Sequence, residues 1–158
     1  YYDDGAPREL QRKIFIEQID VAKQMNKPIV VHNRDAHGDV MDILKKEAKG
    51  LTGVMHCYSG SWEMAKELIK MNFFLSVGGP VTFKNSAKLP EIVAKIPLEY
   101  LLLETDCPYL TPQPYRGKRN EPAYIKIIAE KIAQIRNITV EELAVTTTDN
   151  VKNLFGIK

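Results

Sequence analysis

Four short apolar runs alternate with stretches of helical periodicity along this chain, and that alternation restricts its fold more than any other feature. Pro28-Ile-Val-Val-His32, Gly53-Val-Met-His56, Phe73-Phe-Leu-Ser-Val77 and Tyr100-Leu-Leu-Leu-Glu-Thr-Asp106 have the length and the large apolar content of buried strands. Between them the apolar residues recur at helical spacing. Leu10, Ile14, Phe15, Ile19, Ala22 and Met25 mark a helix over 7–25, with Pro7 in its first turn and Asn26 and Pro28 ending it. Val40, Ile43 and Leu44 mark a second over 39–48, closed by Gly50. Further helices are expected over 62–71, 86–95 and 123–135, and Thr139-Val-Glu-Glu142 is a capping box opening a last one. Strictly alternating elements of this kind build βα units around a parallel sheet.

Three of the four runs end in a side chain able to bind a metal: His32, His56 and Asp106. Parallel strands point the same way, so residues at their carboxyl ends converge in space. A carboxylate closing Leu101-Leu-Leu is costly to bury unless a cation or a donor compensates it. Imidazole and carboxylate together suit several divalent ions. The competing reading is a polar cap on an ordinary sheet. Ligands on non-consecutive strands favour a TIM (β/α)8 barrel over an open doubly wound sheet. A full barrel has eight strands in about 250 residues, so residues 1–158 are expected to form a single domain, an incomplete TIM barrel whose N-terminal strands are missing from this chain. The opening Tyr1-Tyr-Asp-Asp fits a fragment or processed product.

Other residues cluster around these ends. Period-two alternation puts Glu104 on the same face as Asp106, either as an acceptor holding a ligand or an arginine in place, or as half of a buried salt bridge. Arg34 lies just beyond His32. In the Pro-rich segment 107–122, Arg116, Lys118 and Arg119 flank Tyr115, a composition that suits phosphate oxygens and a stacked base, or merely a solvated basic loop. Ser59 and Ser61 precede a helix N-terminus. His37, in a polar stretch, is expected at the surface. Cys57 and Cys107 each follow a candidate ligand and form no CxxC spacing, so both are expected as reduced thiols packed behind the site. A net charge of +2 argues for no nucleic-acid or membrane partner by itself. No apolar stretch approaches the length of a membrane span, which with the reduced thiols suggests the cytoplasm. Phosphate-binding and dinucleotide glycine motifs and a GxSxG elbow are absent.

The segments Val31-His-Asn-Arg-Asp-Ala-His37, His56-Cys-Tyr-Ser-Gly60, Leu103-Glu-Thr-Asp-Cys-Pro-Tyr-Leu-Thr-Pro112 and Tyr115-Arg-Gly-Lys-Arg-Asn-Glu-Pro122 closely resemble the TatD family of metal-dependent hydrolases. Asn150 and Leu154-Phe-Gly156 extend the match. The resemblance is credited to the C-terminal two-thirds of the chain only. It implies a deoxyribonuclease-like barrel in which His32, His56 and Asp106 correspond to metal ligands. The family pattern also has an HxH pair and a glutamate before a Gly-Leu-Asp-Tyr-Tyr stretch, of which Tyr1-Tyr2 look like the tail; neither the pair nor that glutamate occurs in this sequence.

The implied function is hydrolysis of phosphodiester bonds in DNA, of exonuclease type, by two divalent ions in the complete protein, with Mg, Mn and Zn all open. Asp106 is the expected catalytic residue; Arg34, Arg116, Lys118 and Arg119 are the expected substrate contacts. DNA is the expected partner, with no membrane and no obligate protein partner. A related barrel hydrolase acting on an amide, ester or lactone, or a non-catalytic fragment lacking the first metal ligands, are the alternatives.

Overall fold

A computed structural model describes residues 6–158. Helix α1 (Arg8–Gln24) leads into strand β1 (Ile29–His32), followed by α2 (His37–Glu47), β2 (Gly53–His56), α3 (Trp62–Lys70) and β3 (Phe73–Val77). After a 3-10 turn at Gly79–Thr82 come α4 (Lys88–Lys95) and β4 (Leu101–Leu103), then α5 (Ile125–Arg136) and α6 (Val140–Phe155). The strands form one parallel sheet in the order β1-β2-β3-β4. The expected α/β architecture and parallel sheet are therefore present. Tyr1 and Tyr2, assigned above to the tail of a motif, lie outside the described residues.

The alternation of side chains divides the sheet into two unlike faces. Val31, Met55, Phe73, Leu75, Val77 and Leu101 turn to the helices and join Ile19, Leu44, Leu68, Val93, Ile128, Ile132 and Leu143 in one core. Removing a side chain such as Phe73, which has no exposed surface, costs about 3–5 kcal/mol in a core of this kind. The opposite face presents Val30 with His32, Val54 with His56, and Leu102 with Glu104. Along it the register pairs Val30 with Val54 and His32 with His56. Val30, on the β1 edge, is 60% exposed, whereas Val54 on the inner strand β2 and Leu102 on the β4 edge are both buried.

Local sequence sets the helix ends. Ser61 accepts a hydrogen bond from the Met64 amide, and Thr139 from that of Glu142, each satisfying an otherwise unbonded first-turn N–H. Asn26, Asn72 and Asn137 have φ of 50°, 62° and 54° just past the ends of α1, α3 and α5, a backbone shape that asparagine tolerates better than most residues. Pro90 falls in the first turn of α4, where its missing N–H costs nothing, so the helix expected from residue 86 starts at Lys88. Arg136 on α5 donates from Nη1 to the carbonyl oxygens of Val93, Ala94 and Ile96, placing a cation at the negative end of α4.

Strand β4 is shorter than the apolar run suggests. The 3-10 turn Leu98–Tyr100 takes its start, and regular pairing stops at Leu103, opposite Val77. The Glu104 amide still donates to the Val77 carbonyl at 3.2 Å, after which Asp106 adopts φ 55° and reverses the chain. Asn150 on α6, 7% exposed, holds the other end of the strand by donating to the carbonyl oxygens of Leu98 and Leu101.

Candidate metal and substrate site

His56 stands at the last position of β2, and both of its ring nitrogens meet carboxylates. Nδ1 lies 2.9 Å from Glu104 Oε2 and Nε2 lies 3.3 Å from Asp106 Oδ1. The shared face of β2 and the β4 extension produces this geometry, because Glu104 follows the strand in register while Asp106 folds back over it. Asp106 and Cys57 (φ 46°) both hold left-handed backbone conformations at the strand ends, an uncommon state that clusters at functional sites. His56, Glu104 and Asp106 have side chains 23%, 16% and 30% exposed, so the two carboxylates and the ring between them interact in a medium less screening than water.

His32 lies at the edge of the group. Its ring centroid is 5.7 Å from that of His56, with the planes tilted by 34°. Partial burial, reinforced by His56, lowers its pKa, with Asp106 opposing and Arg34 contributing a further lowering. A neutral imidazole is the form that binds a metal. Burial, then the carboxylates of Glu104 and Asp106, push the Cys57 thiol up to about 12. Cys57 is half-buried, as expected of a thiol beside the site, but Cys107 is exposed, because the chain reversal at Asp106 carries it outward. His37 also departs from expectation: it opens α2 half-buried, with Nε2 out of solvent and without a hydrogen-bond partner.

The donor types fit a divalent ion. Two ligands about 2.1 Å from one ion at a tetrahedral angle sit roughly 3.4 Å apart, close to the separation of His56 Nε2 and Asp106 Oδ1. Glu104 Oε1 is buried without a hydrogen-bond partner, a costly condition for a carboxylate unless further positive charge or a donor belongs beside it. The third ligand does not close on the same point. Among the described residues no three His, Cys, Asp or Glu side chains are grouped to hold one ion, since Glu104 meets the far side of the His56 ring and His32 remains at the edge.

The segment after Asp106 is docked on the turn that follows β3. The Gln113 amide donates to Thr82 Oγ1 at 2.9 Å, and Arg116 Cζ sits 3.8 Å from the Phe83 ring centroid. Tyr115 stacks on Tyr124 at 4.8 Å and 11°, with Lys118 Nζ 5.8 Å from its centroid. Arg119, like Arg116 and Lys118, is exposed. Arg116 and Lys118 thus lie over aromatic rings while remaining exposed.

Asn120 escaped the sequence reading as a residue of consequence. Only 2% exposed, it donates from Nδ2 to the carbonyl oxygens of Thr105 and Tyr109, each at 2.6 Å, and tethers the segment to the strand end. Thr111 adds a hydrogen bond from Oγ1 to the Lys118 carbonyl at 2.5 Å. The signal was available in principle, because a long ordered loop leaves carbonyls that need side-chain donors, and an amide among charged residues is a candidate.

The family model described as TatD related DNase matches residues 1–156. The likeness therefore covers nearly the whole chain, which corrects its assignment to the C-terminal two-thirds; α1 and β1 belong to the same fold as the later motifs. The uncharacterized metal-dependent hydrolase YabD of Bacillus subtilis is 55% identical over 99% of this chain and 62% of its own length. The uncharacterized metal-dependent hydrolase YcfH of Escherichia coli K12 is 42% identical over 99% of this chain and 60% of its own. The chain thus spans about 60% of the length of these relatives. Among solved structures, YJJV, a TatD homolog from Escherichia coli K12, superimposes with a TM-score of 0.91 at 28% identity, covering 99% of this chain and 61% of its own. A TatD family hydrolase from Entamoeba histolytica, at 23% identity and a TM-score of 0.84 over 98% of this chain and 60% of its own, shares the fold.

Proposed function

This chain belongs to the TatD related DNase family, and from that premise we propose that it carries part of a metal-dependent centre that hydrolyses phosphodiester bonds in DNA. In this reading residues 1–158 form a single domain, an incomplete (β/α)8 barrel, with the site at the carboxyl ends of the strands. The observation that carries the reading is His56 held between Glu104 and Asp106. Glu104 accepts from Nδ1–H and fixes the tautomer that leaves Nε2 available as a ligand.

His32, His56 and Asp106 are the proposed metal ligands. A divalent ion held there would supply Lewis-acid chemistry, lowering the pKa of a bound water and polarising a phosphoryl oxygen. Asp106, partly buried at the mouth of the site, would share an ion with His56 and accept the proton of the attacking water, with His32 left for a second ion at the edge of the group. Arg116 and Lys118 sit on aromatic faces that limit their motion, so they offset charge on the phosphate at low entropic cost. Arg34, near enough to His32 to affect its protonation, and Arg119 are further phosphate contacts. The metal-dependent hydrolase names of the two relatives support the metal, and the family description supports DNA.

The deciding experiment is Asp106→Asn, assayed for digestion of DNA with Mg, Mn or Zn present. Loss of metal-dependent hydrolysis is expected. An unchanged rate sinks the assignment of Asp106, and vigorous ester or lactone turnover without DNA digestion sinks the choice of substrate.

A further inference from the structure

Tyr109 is 71% exposed, more than any other large apolar side chain among the described residues. Its backbone, by contrast, is firmly held. The Tyr109 amide donates to the Asp106 carbonyl at 2.9 Å, and its own carbonyl accepts from buried Asn120 at 2.6 Å. Because the same Asn120 amide group binds the Thr105 carbonyl, Tyr109 is fixed relative to the residues on both sides of the turn. On its other side Leu110 has φ 53°, and its carbonyl oxygen packs against Gly79 so closely that an added Cβ would lie 1.9 Å from it.

Among the described residues most of the Tyr109 ring is left uncovered, on a backbone that is held in place. Rigid aromatic side chains of this kind give large contact area to a ligand at little entropic cost. Tyr115 offers a contrast, since its ring is already stacked on Tyr124. Tyr109 is one tight turn from Asp106 and in the same loop as the basic residues.

We propose that Tyr109 is a substrate-positioning residue whose ring stacks on a nucleobase adjacent to the phosphodiester held at Asp106. The inference rests on the DNA-hydrolysing reading above. Every base has a π face, so the contact holds the strand without selecting a sequence. Removing it is expected to weaken substrate binding about 5- to 150-fold, the usual range for one base stacked on an aromatic side chain.

The test compares the protein with Tyr109→Ala, Tyr109→Phe and Tyr109→Trp. Binding and hydrolysis are measured on a DNA oligonucleotide and on a series in which one nucleotide at a time is abasic. For the unaltered protein, one abasic position should raise Kd and KM. Tyr109→Ala should bind the intact strand that much more weakly and be indifferent to loss of that base, while Phe and Trp restore the difference. Overturning results are an Ala variant that handles intact DNA normally, or one that remains sensitive to the same abasic position. If the unaltered protein neither binds nor cuts DNA, the functional reading fails first and the role of Tyr109 falls with it.

Discussion

Glu104 Oε2 lies 2.9 Å from Nδ1 of His56, on the opposite side of the ring from Asp106. A carboxylate in that position orients the imidazole and raises its basicity toward an ion at Nε2. Glu104→Gln preserves the shape and removes the charge. Its metal affinity, measured by titration calorimetry with Mn or Zn, is expected to fall about 10- to 100-fold, with the circular dichroism spectrum unchanged. Equal affinities would show that Glu104 is a structural partner only.

Asn120 donates to two carbonyls, those of Thr105 and Tyr109, from a nearly fully buried position. Asn120→Ala should lower the unfolding free energy by about 1–3 kcal/mol, the usual cost of orphaned buried acceptors, as read from urea denaturation. The loop it tethers contains Arg116, Lys118 and Arg119, so tryptic cleavage there should accelerate in native buffer. Resistance equal to that of the unaltered protein would mean that Thr111 and the Thr82 contact hold the loop without it.

Gly79 leaves no room for a methyl group beside the Leu110 carbonyl. The obstructing atom is backbone, already in a left-handed turn, so it yields less readily than the end of a side chain. Gly79→Ala is expected to destabilise by about 1–3 kcal/mol, as overpacking does, and to reduce hydrolysis by displacing the loop beside Asp106. Thermal melting and rate measurements check both effects; a normal melting temperature with a normal rate would show that the loop shifts freely.

The sheet was legible because its cause is local and periodic. Short apolar runs, amphipathic spacing and asparagine, glycine and proline stops predict β1 to β3 nearly residue for residue, and Thr139 and Ser61 announce their caps. β4 was overestimated because apolar content alone does not reveal where pairing stops; the partner Val77 and the reversal at Asp106 decide that. The strand-end pattern also picked out His56 and Asp106, which do meet, and Glu104, whose contact with His56 needed the fold to be seen.

Sequence by itself determined the parallel α/β order, the strand ends as the place where ligand-type side chains gather, and the family. Tertiary structure decided what those side chains face. It brought Asp106 onto Nε2 of His56, left His32 at the edge, stacked Arg116 on Phe83 and made Asn120 the tether of a rigid loop. The physical reason lies in the range of the forces involved. Periodicity and capping act over a few residues and are written in the chain, whereas the positions of a ring nitrogen and a carboxylate depend on packing between segments distant in sequence.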